Sequence, residues 1–236
     1  MFHLILADSE LETVPREISR HKVIQWHARR RARRTTELIL HSSRHYPAMR
    51  RLSEGKRRGR PDIVHTCALL ALDTPLNHEK LLRFYIHTRH DKLITVDPVA
   101  RLPRAQYRFI GLLEHLFLTG TAPPQNPLLR LEEASLTDVL KHIGPKKTIT
   151  FSEHGEIKPP KEIYRGLTKE DEVCAVIGGF PHGDFISDVE ELSDELVRMD
   201  PEVLRAPTVV ARAIYMYELA LGIQKSRLER QTNDTE

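Results

Sequence analysis

Two stretches of this chain, Phe2-His3-Leu4-Ile5-Leu6-Ala7 and Val173-Cys174-Ala175-Val176-Ile177, are apolar almost throughout. A strand with one wet face alternates polar and apolar residues, whereas a strand covered on both faces does not. Each run stops abruptly, the first at Asp8 and the second at Gly178-Gly179. Between them, short β-rich runs alternate with helical stripes. This pattern predicts an α/β fold, a mainly parallel sheet flanked by helices. A chain of 236 residues can bury a sizeable core, and the reading is a single domain over residues 1–236 with an insertion at 19–58.

Local signals fill in the frame. Residues 11–18 read as a helix after the first strand. The insertion is helical by content, with 36–40 as its apolar stripe and Pro47 and Gly55 as interruptions. Pro61 opens a buried helix at a tolerated first-turn position. Asp73-Thr74-Pro75-Leu76-Asn77 stops it and caps another helix over 77–82. Residues 82–86 and 92–96 are strands, and Pro103 starts a long helix to about Leu118. The three prolines of 120–127 mark a loop. Ser135 caps a helix over 136–142, 148–151 is a strand and 152–160 a polar loop. Beyond the strand at 173–177, a polar stretch leads to Pro207 and a last helix ending near Ile223. The charged tail after Lys225 is expected to fray.

The formal net charge of +3 hides an asymmetry. From Arg16 to Arg60 there are 15 Lys and Arg against three acids, a net +12, which leaves −9 for the rest. A basic block on an acidic protein is a footprint for a polyanion. Trp26, Tyr46 and several histidines are interleaved, and no Leu/Phe-rich face accompanies the charge, so RNA fits better than a membrane surface. No run approaches the roughly 20 apolar residues of a membrane span. The N-terminus lacks the charged region of a signal peptide, and the expected location is the cytoplasm. Cys67 and Cys174 are far apart and read as inert core residues. No metal-ligand spacing is present.

Three constellations could carry chemistry. In Arg57-Arg58-Gly59-Arg60-Pro61-Asp62-Ile63-Val64-His65, a lone carboxylate stands behind a run of arginines. Arginines at that density favour phosphate. Asp62 is either a partner for one of them or a group that handles a proton, and His65 reads as structural. Arg101, Arg104 and Arg108 form the second group. A helix starting at Pro103 would put Arg104 and Arg108 on one face, and with no acid between Asp97 and Glu114 phosphates are natural partners. The third is Gly178-Gly179-Phe180-Pro181-His182-Gly183, directly after a buried strand, where open α/β sheets bind ligands. It matches neither a dinucleotide fingerprint nor a P-loop. A cofactor held by backbone groups stays open beside a plain turn. His182 reads first as a loop-stabilising contact.

Taken in order, Arg60-Pro61-Asp62-Ile63-Val64-His65, Arg101-Leu102-Pro103-Arg104 continuing to Arg108, and Ile177-Gly178-Gly179-Phe180-Pro181-His182-Gly183 resemble the small-subunit rRNA pseudouridine-N1 methyltransferase family. These are ribosome-assembly factors of the SPOUT class, and the resemblance spans nearly the whole chain. It implies an α/β fold with a C-terminal trefoil knot, S-adenosyl-L-methionine as cofactor, a homodimer, small-subunit rRNA as partner, and contact with ribosomal proteins. By position it implies cofactor contacts at Ile149, at Gly178 and Gly183, and at Met199, Asp200, Pro201, Glu202, Val203 and Leu204. Where relatives carry Tyr-Pro-Leu-Ser, this chain has Glu202-Val203-Leu204-Arg205. The implied RNA contacts are Arg60, Arg101, Arg104 and Arg108, with Arg60 and Asp62 as the catalytic pair and Asp62 positioning Arg60. Two alternatives remain at this stage, an RNA-binding assembly factor that mainly scaffolds and a methyltransferase acting on another RNA.

Overall fold

The computed structural model describes residues 1–233. The first strand, β1 (Phe2–Ser9), is buried along its whole length. No helix follows it. Residues 10–15 stay extended and only Arg16–Ile18 makes a single 3-10 turn. The expected helix is lost because Val14 N–H and Glu12 C=O pair with Leu38 and Leu40, and Pro15 has no N–H to give. The same pairing makes residues 38–40 extended after a 3-10 turn over Thr35–Glu37, with Leu38, Ile39 and Leu40 buried.

The insertion holds two helices, α1 (Lys22–Arg31) and α2 (Ser42–Met49). Pro47 lies inside α2 and does not end it. Ile24, Ala28, Leu38, Leu40, Ala48 and Met49 pack with Val14 and Ile18 as a small core of their own.

Next come α3 (Pro61–Leu72), with Pro61 in its first turn as expected, and the short α4 (Pro75–His78), capped by the Thr74 hydroxyl. The hairpin β2 (Leu82–Thr88) and β3 (Lys92–Val96) leads to α5 (Gln106–Thr119). Two antiparallel strands unseen in the sequence follow, β4 (Thr121–Ala122) and β5 (Leu129–Glu133). Then come α6 (Leu136–Ile143), with Ser135 and Asp138 in a capping box, and β6 (Lys147–Ile157). β6 runs six residues past the expected strand, because its far end pairs with a later strand after an irregularity. The remainder is α7 (Pro160–Ile163), β7 (Val173–Gly178), α8 (Val189–Leu192), β8 (Glu195–Arg198), α9 (Ala206–Ala220) and α10 (Ile223–Asn233). α10 replaces the frayed tail expected after Lys225; the last three residues lie outside those described.

The eight strands form one sheet in the order β4-β5-β3-β2-β1-β7-β6-β8. β2, β1, β7, β6 and β8 are mutually parallel, while β3, β5 and β4 extend the sheet antiparallel. The fold is therefore α/β with a mainly parallel sheet flanked by helices. Along β1, Phe2, Leu4 and Leu6 enter the core shared with α3, α5 and α9. Ile5 and Ala7 enter the opposite core with α6 and α8. Cys67 and Cys174 are buried and free, and burial pushes the Cys67 thiol up to about 12. Among the described residues no helix is long and apolar enough to cross a membrane.

Candidate active site

The carboxyl ends of β6 and β7 open into a cavity of about 840 Å³, within the size range of small-molecule sites. Arg60, Asp62 and Thr66 line it from the first turns of α3. Gly178, His182, Gly183 and Asp184 line it from the loop after β7, and Val203 to Pro207 from the start of α9. The Arg60 motif and the glycine loop, more than a hundred residues apart in sequence, thus share one cavity.

Within it, Arg60 grips Asp62 through two hydrogen bonds, Nε to Oδ1 at 2.9 Å and Nη2 to Oδ2 at 2.7 Å. Burial alone would raise the Asp62 carboxyl. The hydrogen bond and charge of Arg60 outweigh it and hold Asp62 below the usual range. The same hydrogen bond raises the Arg60 guanidinium further. The pair is a fixed ion pair with one face on the cavity, and the Asp62 carboxylate is a weak proton acceptor.

Arg57 and Arg58 are both engaged by carboxylates of this chain. Arg58 clasps Glu12 at 2.7 and 2.6 Å. Burial would raise the Glu12 carboxyl, but Arg58 and His90 hold it below its ordinary range. Arg57 donates to Glu10 at 2.6 Å and to the Asp184 carbonyl at 2.6 Å, and its guanidinium lies 4.1 Å from the Phe180 ring centre. Glu10 also accepts from Arg89. The acids that neutralise these arginines precede the basic block, so counting charges inside the block overstates what is free.

The glycines have separate uses. A Cβ on Gly179 would sit 2.2 Å from Ser9 Oγ and 2.8 Å from Ser9 Cα, so this position packs the loop against the end of β1. Gly183 has φ +81°, a left-handed turn that side chains resist. Asp8 completes the anchorage: its buried carboxylate accepts from the Ile186 and Ser187 amides at 2.6 and 2.9 Å and from Ser187 Oγ at 2.8 Å. Sequence reasoning gave no role to Asp8 or Glu10, and read Arg57 as a phosphate ligand. The one local signal was an acid ending an otherwise apolar strand.

The remaining candidates separate. Ile149 is fully buried in the core and lines no part of the cavity; Phe151, Ser152 and Glu153 of the same strand do. Met199, Asp200 and Glu202 line a smaller adjoining cleft that shares Val203 and Leu204 with the cavity, and Pro201 lines neither. Arg101, Arg104 and Arg108 are exposed and lie outside the cavity lining. The helix starts at Gln106, not Pro103, so Arg104 precedes it. The reason is His65, which donates to the Pro103 carbonyl at 2.7 Å and stacks on Phe109. His65 is thereby structural, and it pins the Arg101–Arg104 loop to the helix that carries Asp62. Glu153, His154 and Asp184 place ligand atoms within 4.8 Å of one another, all on exposed side chains.

The chain matches known proteins along most of its length. The family model described as EMG1/NEP1 methyltransferase matches residues 4–218. The ribosomal RNA small subunit methyltransferase Nep1 of Pyrococcus furiosus is 47% identical over 216 residues, 92% of this chain and 96% of that protein. The protein of the same name from Thermococcus kodakarensis is 44% identical over 223 residues, 94% of this chain and 100% of its own. In structure, Archaeoglobus fulgidus Nep1 bound to S-adenosylhomocysteine superposes with a TM-score of 0.80 at 33% identity, covering 93% of this chain and 97% of that one. With the parallel sheet, the shared cavity and the Arg60–Asp62 pair in place, the chain belongs to the EMG1/NEP1 methyltransferase family.

Proposed function

We propose that this chain is an S-adenosylmethionine-dependent methyltransferase that modifies N1 of a pseudouridine in small-subunit rRNA during small-subunit assembly. The observation that carries the reading is the single cavity lined both by Arg60–Asp62 and by the glycine loop. Its walls suit the cofactor. Phe151, Ile177, Leu204 and Val209 offer apolar surface, and the chain around Gly178 and Gly183 offers backbone donors and acceptors close by. When bound, the cofactor supplies a methyl group on a sulfonium, which needs little further activation.

The protein's share of the work is then orientation of the base and removal of one proton. Pseudouridine carries a free N1–H where uridine has its glycosidic bond, and that nitrogen becomes nucleophilic once the proton leaves. Arg60, held by Asp62, positions and polarises the base. Asp62, kept ionised, orients Arg60 and does not serve as the base; the N1 proton passes to water at the mouth of the cavity. Arg101, Arg104 and Arg108 take phosphates and splay the loop, as in recognition of single-stranded RNA segments. Their contacts offset the few kcal/mol of unstacking the target.

The trefoil knot belongs to the same reading. It is supported by the parallel order β7-β6-β8, in which the connection from β7 to β8 has to cross β6. A homodimer is supported by Tyr215 and Leu219, exposed one turn apart on α9. On this reading the protein acts on ribosome precursors in the cytoplasm, alongside small-subunit ribosomal proteins.

The test is methyl transfer from tritiated cofactor to rRNA hairpins carrying uridine or pseudouridine at the target. Label is expected in the pseudouridine hairpin alone; label in the uridine hairpin alone would overturn the reading. Arg101→Ala and Arg104→Ala should weaken RNA binding and leave cofactor affinity, read by calorimetry, unchanged.

A further inference from the structure

The outer face of α1 is built for something the cavity does not explain. Lys22, Gln25, Trp26, Arg29 and Arg30 are all exposed and follow the helical spacing of one face. No acid occurs between Glu17 and Glu37. Trp26 is 57% exposed, and the Arg30 guanidinium lies 4.8 Å from its ring centre. An exposed indole is a costly surface group, but one stacked on a guanidinium is a ready platform for a base. At the end of the helix, Gln25, Arg29, Arg33 and Arg34 line an open groove of about 460 Å³.

This face also has a fixed position relative to the active site. Arg31 turns inward to the buried Glu114 carboxylate at 2.5 Å, and its guanidinium crosses Gly111, where a Cβ would come within 3.4 Å. Gly111 is three residues after Arg108 on α5. Arg31 thus ties α1 to the helix that carries Arg108, and the basic face lies on the side of α1 turned away from that contact. Membrane insertion needs an apolar face, and this one offers a single large apolar side chain.

We propose that α1 and its terminal groove form a second RNA-binding surface, which takes single-stranded RNA flanking the modified loop. A base stacks on Trp26, and phosphates meet Lys22, Arg29, Arg33 and Arg34. The inference rests on the reading that Arg101, Arg104 and Arg108 hold the target loop.

The experiment compares a bare target hairpin with the same hairpin carrying a flank of about twelve unpaired nucleotides, a length suited to one stacking surface. Wild-type protein should bind the flanked RNA at least about tenfold more tightly. The triple variant Arg29→Gln, Arg33→Gln, Arg34→Gln should lose that gain, and its salt slope should flatten by about two for three lost single-strand phosphate contacts. Trp26→Ala should lose about fivefold on flanked RNA, and Trp26→Phe should restore it. All three variants should bind and methylate the bare hairpin as wild type does.

The proposal fails if the flank adds no affinity, or if the variants lose equally on both RNAs. It also fails if polyglutamate displaces flanked RNA as well as oligouridylate of equal charge, which would mark an acidic protein segment as the occupant. Failure of wild-type protein to methylate the bare pseudouridine hairpin would instead count against the proposed function. The two affinities would still report on this surface.

Discussion

Arg57 and Arg58 are each less than a tenth exposed and clasp Glu10 and Glu12, whereas Arg29 and Arg30, from the same basic segment, face solvent. The two groups look alike in sequence. What separates them is distant. Glu10 and Glu12 sit just past the end of β1 and, within the basic segment, pair with the arginines that return to it, where the Arg60 amide hydrogen-bonds the Glu10 carbonyl at 2.8 Å. A dense arginine cluster is thus two devices, a buried clamp that shapes the cavity and an outer surface free to meet an anion. Arg60 lies between them, half-buried with Asp62 as its partner.

The contrast can be broken at several points. Its strongest consequence is for Arg58→Ala, which strands the Glu12 carboxylate in the interior and should cost about 3–5 kcal/mol in urea unfolding. A loss below about 1 kcal/mol would erase the distinction. Arg60→Ala should separate stability from function: methyl transfer falls about 100-fold through misplaced substrate, about 2.7 kcal/mol. Unfolding free energy should change by about 1 kcal/mol or less, because the pair is partly solvated.

The buried histidines beneath the outer arginines give a pH signature. His27 Nδ1 and His45 Nε2 lie 2.8 Å apart, and burial, then the neighbouring histidines and Arg44, lowers His45 to about 3. Its folded form resists the proton that the unfolded chain takes up below pH 6.5. Stability from this group is therefore complete above that pH and declines as pH falls toward 3, by about 1.4 kcal/mol per pH unit. Unfolding free energies measured across pH 7 to 4 should show this slope, and His45→Gln should flatten it. The smallest effect belongs to the outer surface: Arg29→Ala and Arg34→Ala should each shift stability by less than about 0.5 kcal/mol. A larger loss would mean that these side chains also have inward partners.

Much of this was legible in the chain. β1, β7 and α3 announce themselves because complete burial removes polar residues from the run, and Pro61 marks where α3 begins. The Arg60–Asp62 pair could be read because both partners lie within three residues. β5 and β8 could not, since charges crowd Leu129-Arg130-Leu131-Glu132-Glu133 and β8 is a four-residue edge strand. The start of α5 was misplaced because a side chain from α3, His65, takes the Pro103 carbonyl. Ile149 was placed in the site by position, from the family resemblance, and the cavity is lined instead by Phe151, Ser152 and Glu153 of the same strand. The pairing of Arg57 and Arg58 with Glu10 and Glu12 spans more than forty residues, beyond any local pattern.

The central place of β1 also sets a timetable. This strand is synthesised before both of its neighbours, and β2 can cover one of its edges once residue 88 has emerged. Its other edge pairs with β7, Leu4 opposite Ala175. At the usual pace of translation, roughly 5–20 residues per second, that edge waits about five to twenty seconds after β2 is made. An apolar strand with open hydrogen-bonding groups is a template for wrong partners during that interval. The nascent chain should therefore depend on chaperone cover late into synthesis, and the cavity, which needs both β1 and the loop after β7, comes into being only near the end.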